Sequence, residues 1–316
     1  MTTRVMALYH FVDPLMAEDR VQQLRDVLLG YCNDAGISGT LLLAREGING
    51  TVSAPQGSLD ALAELMRAQP EFLGLEVKCS DARQGKRAFT RMKVKVKDEI
   101  VSFGQPVTPA RRTGEHVDAS RWNELLDDPD VVVIDTRNHY EVEIGTFPGA
   151  LDPGTSNFRE FPEFVDQRLD PNSQPKVAMF CTGGIRCEKA SAYLLERGFD
   201  QVYQLEGGVL KYLEEVAAEQ GAEPNKWQGE CFVFDQRVAL NARLEPGDYL
   251  QCHACRRPVD PDAAQSPDYV KGVSCPRCIN EGDVERRAGF VERQRQIELA
   301  ARRGETHIGP DAQNQT

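Results

Sequence analysis

Two groups among the nine cysteines of this 316-residue chain carry a chemical pattern. The first is the run Val177-Ala178-Met179-Phe180-Cys181-Thr182-Gly183-Gly184-Ile185-Arg186-Cys187. An apolar run of strand type ends directly at Cys181, and a helix is expected from about Arg186 to Arg197. Backbone N–H groups of such a loop can converge on one point, with Thr182, Gly183, Gly184 and Ile185 forming an anion cradle. The helix N-terminus that follows adds partial positive charge. Both effects favour thiolate over thiol, and the thiolate is the nucleophile. Gly183 and Gly184 permit the sharp turns, and Arg186 adds a permanent charge that can hold an anionic sulfur or a phosphate. A lone cysteine is more often a buried structural side chain. The strand–Cys–Gly–Gly–Arg–helix context makes Cys181, with Arg186, the candidate catalytic pair. Cys187 reads either as a thiol that resolves an oxidised or persulfidated Cys181 by forming a disulfide, or as a small residue facing the core. Asp135 and Arg137, at the end of another strand-like run, read as a supporting pair that braces the fold or orients the site.

The second group is Cys252-His253-Ala254-Cys255 and Cys275-Pro276-Arg277-Cys278, two C-x2-C pairs separated by 19 residues. That spacing falls within the range of four-thiolate zinc sites. Four thiolates suit a closed, structural zinc centre, and a redox dithiol pair or an iron–sulfur cluster are the alternatives. No flavin fingerprint, haem attachment motif or 2-His-1-carboxylate set is visible among the five histidines.

The net charge of −12 speaks against nucleic acid as a partner, but the charge is uneven. Residues 1–112 carry 15 basic against 13 acidic side chains, and the remainder 22 against 36. Arg83, Lys86, Arg87, Arg91, Lys93, Lys95 and Lys97 form a run with no acidic residue between Ala82 and Lys97. On a strand, Lys93, Lys95 and Lys97 share one face while Val94 and Val96 point to the other. Such a stripe can bind RNA phosphates, with Phe89 stacking on a base, or it can be a solvated strand that lysines protect from edge pairing.

The elements that must position these groups follow from hydrophobic period. Strands are expected at 4–12, 38–45, 51–54, 75–80 and 91–97, with helices at 18–35 and 58–68, close to the βαββαβ order of a ferredoxin-like α+β domain over 1–103. Glu46-Gly47-Ile48-Asn49-Gly50 reads as a turn. Residues 104–117 read as a linker. Buried strands at 131–135, 177–180 and 202–205, alternating with helices, indicate a parallel α/β domain over 118–220. A Cys-rich region over 221–304 ends in a charged helix at about 283–303, and 305–316 reads as a disordered tail. The fold class is therefore α/β multidomain. No apolar run approaches the ~20 residues of a membrane span, and no signal peptide is visible, so a cytoplasmic protein is expected.

Residues 118–218 resemble a rhodanese domain. The resemblance rests on Ile134-Asp135-Thr136-Arg137, Gly145-Thr146-Phe147-Pro148-Gly149-Ala150, the Cys181 loop and Leu205-Glu206-Gly207-Gly208. The C-x4-R spacing is one residue shorter than the phosphatase loop, which suits sulfur better than a phosphate group. The order of Glu46-Gly47-Ile48-Asn49-Gly50-Thr51, Asp135 to Glu141, Cys181 to Ala190 and the C-terminal Cys pairs is similar to the bacterial tRNA uridine hydroxylases. That resemblance implies oxygen-dependent 5-hydroxylation of the wobble uridine, position 34, with molecular oxygen as co-substrate, tRNA as partner and Cys181 as the active-site residue. It raises tRNA contact above the solvated-strand reading for the basic run. The alternative is a thiosulfate or persulfide sulfurtransferase acting through a Cys181 persulfide. Neither the reductant nor the oligomeric state is set by the sequence.

Overall fold

The computed structural model describes residues 3–81, 89–174, 176–218, 224–281 and 283–304. Arg83, Lys86, Arg87 and the expected tail at 305–316 lie outside the described residues.

Strand β1 (Thr3–Phe11), helix α1 (Glu18–Asp34), strands β2 (Ser38–Ala44) and β3 (Gly47–Pro55), helix α2 (Gln56–Arg67) and strand β4 (Val77–Asp81) run in the ferredoxin-like order. Their sheet is arranged β4-β1-β3-β2, and β5 (Met92–Val96) adds to it parallel to β2. Val21, Leu24, Leu28 and Cys32 of α1 recur at helical spacing, as do Leu59, Leu62, Ala63 and Met66 of α2. They cover one face of the sheet by packing on Met6, Leu8, Leu41, Leu43, Ile48, Val52 and Val94. Strand alternation then puts Tyr9, Ala7, Asn49, Thr51, Thr40, Lys93 and Lys95 on the other face.

The segment read as a turn, 46–50, is mostly strand. β3 begins at Gly47, and the ladder with β1 pairs Gly47 with Phe11 and Gly50 with Leu8. Its glycines serve close strand approach: a Cβ on Gly47 would collide with the His10 carbonyl, and one on Gly50 with the Thr40 carbonyl.

The second domain is built from β6 (Glu115–Val117), α3 (Ala119–Asp127), β7 (Val131–Asp135), α4 (His139–Val142), β8 (Gly145–Thr146), α5 (Phe161–Arg168), β9 (Lys176–Phe180), α6 (Ile185–Glu196), β10 (Gln201–Leu205) and α7 (Gly208–Ala218). The parallel sheet has the order β6-β10-β9-β7. β6 closes the segment read as a linker, and Phe103 and Val107, which precede it, pack into the core of this domain. Both sheet faces are covered: Phe103, Phe161 and Tyr193 lie in one core, and Trp122, Phe147, Phe180 and Tyr212 in the other. That double burial explains the unbroken apolar runs of β7 and β9. Because the strands are parallel, the loops after β7, β9 and β10 meet at one sheet edge, and Cys181 stands there. The Cys-rich region follows, ending in the largely exposed helix α8 (Val284–Arg302).

Candidate active site

Cys181 follows β9 directly and is 1% exposed. Gly184, with φ at 106°, turns the chain into α6. Its N–H donates to the Cys181 sulfur at 3.1 Å. The turn Gly207-Gly208 packs against the loop from the other side, where a Cβ on Gly208 would meet the Thr182 carbonyl at 2.7 Å. The first amides of α7 satisfy the loop carbonyls, Val209 N–H to Cys181 at 2.9 Å and Leu210 N–H to Thr182 at 3.2 Å.

Burial pushes the Cys181 thiol up, but that is outweighed. The Cys187 thiol, the Arg186 charge and the backbone N–H groups of Cys187 and Arg186 together bring it down to about 5. Cys187, fully buried, is driven the opposite way, first by burial and then by the Cys181 charge. The pair thus carries one negative charge, centred on Cys181, near neutral pH.

Arg186 is itself held. Its guanidinium donates to both oxygens of the fully buried Glu141, at 2.7 and 2.9 Å, and to the Thr182 hydroxyl at 3.2 Å. Glu141 also accepts the Asn138 N–H at 3.1 Å, and Arg186 holds its carboxyl below the ordinary range against the opposing effect of burial. Glu141 is a site residue the sequence reading did not single out. Its signal was present in the capping pattern Asn138-His139-Tyr140-Glu141. Asp135 and Arg137 form a second buried pair, at 2.8 and 2.6 Å. Arg137 also donates to the Gly145 carbonyl at 2.6 Å and lies 5.0 Å from the Trp227 ring centroid, so it ties three segments together.

The N-terminal sheet lies over this loop. Tyr9 donates its hydroxyl proton to Glu188 at 3.0 Å and approaches Gly184 so closely that a Cβ there would stand 2.8 Å from the hydroxyl oxygen. Lys78 donates to the Gly183 carbonyl at 3.4 Å. Burial raises the Tyr9 phenol well above its ordinary value, and Glu188 and the Cys181 charge add to this. Burial lowers Lys78, against the attraction of Cys181. Glu188 also meets His116 at 2.9 Å and the Thr113 hydroxyl at 2.9 Å. The two domains are locked by Lys189, 1% exposed, which pairs with Glu46 at 2.9 Å and Glu99 at 2.6 Å. Glu46 of the glycine-rich segment therefore docks the first domain onto the helix that begins at the reactive loop.

A family model described as UPF0176 acylphosphatase like domain matches residues 3–100. One described as Rhodanese-like domain matches residues 118–215. A tRNA uridine(34) hydroxylase of Agrobacterium fabrum is 51% identical over 96% of this chain and 94% of its own length. Its counterpart in Teredinibacter turnerae is 51% identical over 98% of this chain and 93% of its own. That of Rhizobium leguminosarum bv. trifolii is 49% identical over 96% of both. The chain belongs to the tRNA uridine(34) hydroxylase family. The family's rhodanese and acylphosphatase-like parts are thus the two domains whose junction covers Cys181.

In this family member the basic stripe is on the outer edge of the first sheet. Register places Lys93 beside Thr40, Thr40 beside Thr51, Thr51 beside Ala7 and Ala7 beside Lys78. Lys95, Leu42, Asn49 and Tyr9 form the neighbouring row. One face therefore runs from Lys93 and Lys95 to Lys78 and Tyr9 at the Cys181 loop. The crossing is four strand spacings, roughly 19 Å. Arg91 and Lys95 are exposed and Lys93 is half-buried. Lys97 lies one residue beyond the end of β5. Phe89 is half-buried, with its carbonyl accepting from Ser38 at 3.3 Å. Partial burial, then Arg91, Lys95 and Arg256, lower the Lys93 ammonium, so the Cys-rich region adds its charge to the same edge.

The four C-terminal cysteines converge. Their sulfurs lie within 4.8 Å of one another, with Cys252 to Cys278 and Cys255 to Cys275 at 3.8 Å and Cys275 to Cys278 at 3.7 Å. A tetrahedron of thiolates around zinc, with Zn–S of ~2.3 Å, has edges of roughly 3.8 Å. The donor set and its spacing fit a metal ion. Among the described residues no other group of His, Cys, Asp or Glu does so, and no helix is long and apolar enough to cross a membrane.

Proposed function

We propose that this chain hydroxylates carbon 5 of the wobble uridine of tRNA, as a monooxygenase-type tRNA-modifying oxidoreductase with molecular oxygen as the oxygen source. The observation that carries the reading is a buried Cys181 thiolate, brought down to about 5, beneath a sheet face with basic residues at both ends, in a member of this family. Cys181 is the reacting centre. The amides of residues 184, 186 and 187 and the Arg186 charge keep it ionised, and Glu141 fixes Arg186. Asp135 and Arg137 support the loop as a brace. Lys93, Lys95 and Arg91, with Arg83, Lys86, Arg87 and Lys97 of the same run, contact tRNA phosphates. The base reaches the sulfur when the Tyr9 and Lys78 side chains yield, and both are single side chains rather than backbone.

Cys187 is the resolving thiol. Hydroxylation by molecular oxygen places one oxygen atom on the ring and the other in water, and it consumes two electrons and two protons. Oxidation of the Cys181 thiolate and the Cys187 thiol to a disulfide supplies both electrons and one proton, the second proton coming from solvent, after which an external thiol reductant restores the pair. Cys252, Cys255, Cys275 and Cys278 hold a structural zinc, since four thiolates leave no open position for catalysis. A tRNA substrate supports a cytoplasmic location.

The test is nucleoside analysis of tRNA from a strain lacking the gene, complemented with wild type or Cys181→Ala. Wild type restores 5-hydroxyuridine-derived nucleosides and the alanine variant does not. Restoration by Cys181→Ala would remove the thiolate from the chemistry. A normal profile in the deletion strain, together with rhodanese activity of the purified protein, would favour the sulfurtransferase.

A further inference from the structure

Phe234 is a large apolar side chain left 62% exposed next to the reactive loop. It does not lie in a loose segment. Val233 N–H donates to the Val238 carbonyl at 2.8 Å, and Val238 N–H returns to Asp235 at 3.2 Å. Asp235 and Arg237 form a buried bidentate pair, at 3.0 and 2.6 Å. Arg237 continues across the domain junction to the Ser80 hydroxyl at 3.0 Å and the Asp81 carbonyl at 3.2 Å. On the other side the chain is pinned by Phe232, which is buried and whose carbonyl stands 3.5 Å from the Thr182 hydroxyl of the Cys181 loop. The turn is therefore anchored to both domains, and of its side chains only Phe234 and Gln236 are exposed, Phe234 being the one aromatic ring.

The ring's own neighbours fix its orientation. The edge-to-face contact with Phe232 has centroids 5.1 Å apart at 88°. The Arg186 guanidinium carbon lies 5.9 Å from the Phe234 centroid. Arg186 is the residue that polarises Cys181, so the exposed ring stands one side chain away from the thiolate. A solvated phenylalanine held rigidly at the rim of a reactive site has a use in an enzyme that acts on a nucleobase, because a base taken out of its stack is recovered by stacking on an aromatic face.

We infer that Phe234 is the platform on which the target pyrimidine base stacks as it is presented to the Cys181 loop. This rests on the reading of tRNA as substrate. Stacking is indifferent to base identity, so Phe234 supplies affinity for an extruded base.

The experiment compares two anticodon stem–loop RNAs, one with uridine at the wobble position and one abasic there, binding to wild-type protein, Phe234→Ala, Phe234→Leu and Phe234→Tyr. Wild type is expected to prefer the uridine RNA by roughly 5- to 100-fold. Phe234→Ala and Phe234→Leu lose that preference while keeping wild-type affinity for the abasic RNA, and Phe234→Tyr retains it. A lost fold would depress both RNAs together, and the leucine variant keeps the apolar bulk without the ring. Undiminished preference in Phe234→Ala, or no preference in wild type, overturns the inference. A preference that depends on Phe234 in a protein that forms no 5-hydroxyuridine leaves the platform standing and removes the hydroxylase reading instead.

Discussion

The charge on Cys181 sets a quantitative expectation. Its value falls from an ordinary 9.0 to about 5 despite complete burial. At about 1.36 kcal/mol per unit, the folded state favours the thiolate by about 5 kcal/mol. The sign follows from linkage: a folded value below the unfolded one contributes stability that is complete above about pH 9 and is lost as pH falls through about 5. Between those limits wild type should gain about 1.4 kcal/mol per pH unit over Cys181→Ser, whose hydroxyl stays neutral. Ultraviolet thiolate absorbance, wild type minus Cys181→Ser, isolates the group from the eight other cysteines. Its midpoint should fall near 5.

Removing one charge of the Glu141–Arg186 pair gives the opposed controls. Arg186→Gln deletes an attraction that lowers such a group by roughly 1–3 units, so the midpoint should rise by that amount. Glu141→Gln unmasks Arg186 and should lower the midpoint, although leaving Arg186 buried without its carboxylate costs roughly 3–5 kcal/mol of stability. The double replacement removes both charges and should fall between. A wild-type midpoint near the ordinary 9.0, or equal shifts in the same direction for both single variants, would refute the electrostatic account of the loop.

Protein purified without chelator should carry about one zinc per chain, bound through four thiolates. Cys275→Ser should release the zinc and speed amide exchange across residues 250–281 while the Cys181 titration stays in place; metal-free protein with unchanged exchange would show that the cluster needs no ion. Reversing Lys93, Lys95 and Lys97 to Glu should weaken tRNA binding and make its dependence on salt shallower by roughly two to three ions. Unchanged affinity at moderate salt would assign those lysines to protection of the sheet edge.

What could be read from the sequence was local. The apolar run of β9, the glycines and the arginine after Cys181 lie within ten residues, and the chemistry of the cradle follows from that proximity. The two Cys pairs announce their convergence by spacing alone. Contacts made across the chain were not legible. Glu141 and Arg186 are 45 residues apart, and nothing in a single acidic residue says that it will be fully buried against one arginine. Tyr9 and Lys78 belong to a different domain, on strands whose alternation predicts a face but not what the face will meet. Gly47 does take a positive φ, 144°, as a turn glycine can, but that it and Gly50 sit in a ladder where any Cβ would strike a neighbouring carbonyl was not legible. Phe234 sits in a stretch with no motif, and only its exposure beside a clamped turn marks it.

The junction between domains bears on the choice between sulfur carrier and RNA enzyme. A Cys–Gly–Gly–Arg cradle stabilises an anion whether that anion is a thiolate or the terminal sulfur of a persulfide, so the loop by itself serves either chemistry. A carrier must present its sulfur to another protein or a small donor. Here the sulfur is 1% exposed, with Tyr9 and Lys78 at the loop and a salt-bridged Lys189 holding the first domain in place. On the proposed reading the covering domain also supplies charge toward RNA. Lys78 offers positive charge at the thiolate end of the sheet face, and Lys93 and Lys95 offer it at the far edge. Roughly 19 Å between the two ends, four strand spacings, is the reach of a few nucleotides of an unstacked loop. On the proposed reading tRNA recognition belongs to the domain laid over the cradle, so grafting the cradle alone onto another rhodanese domain should transfer an ionised cysteine without transferring recognition of tRNA.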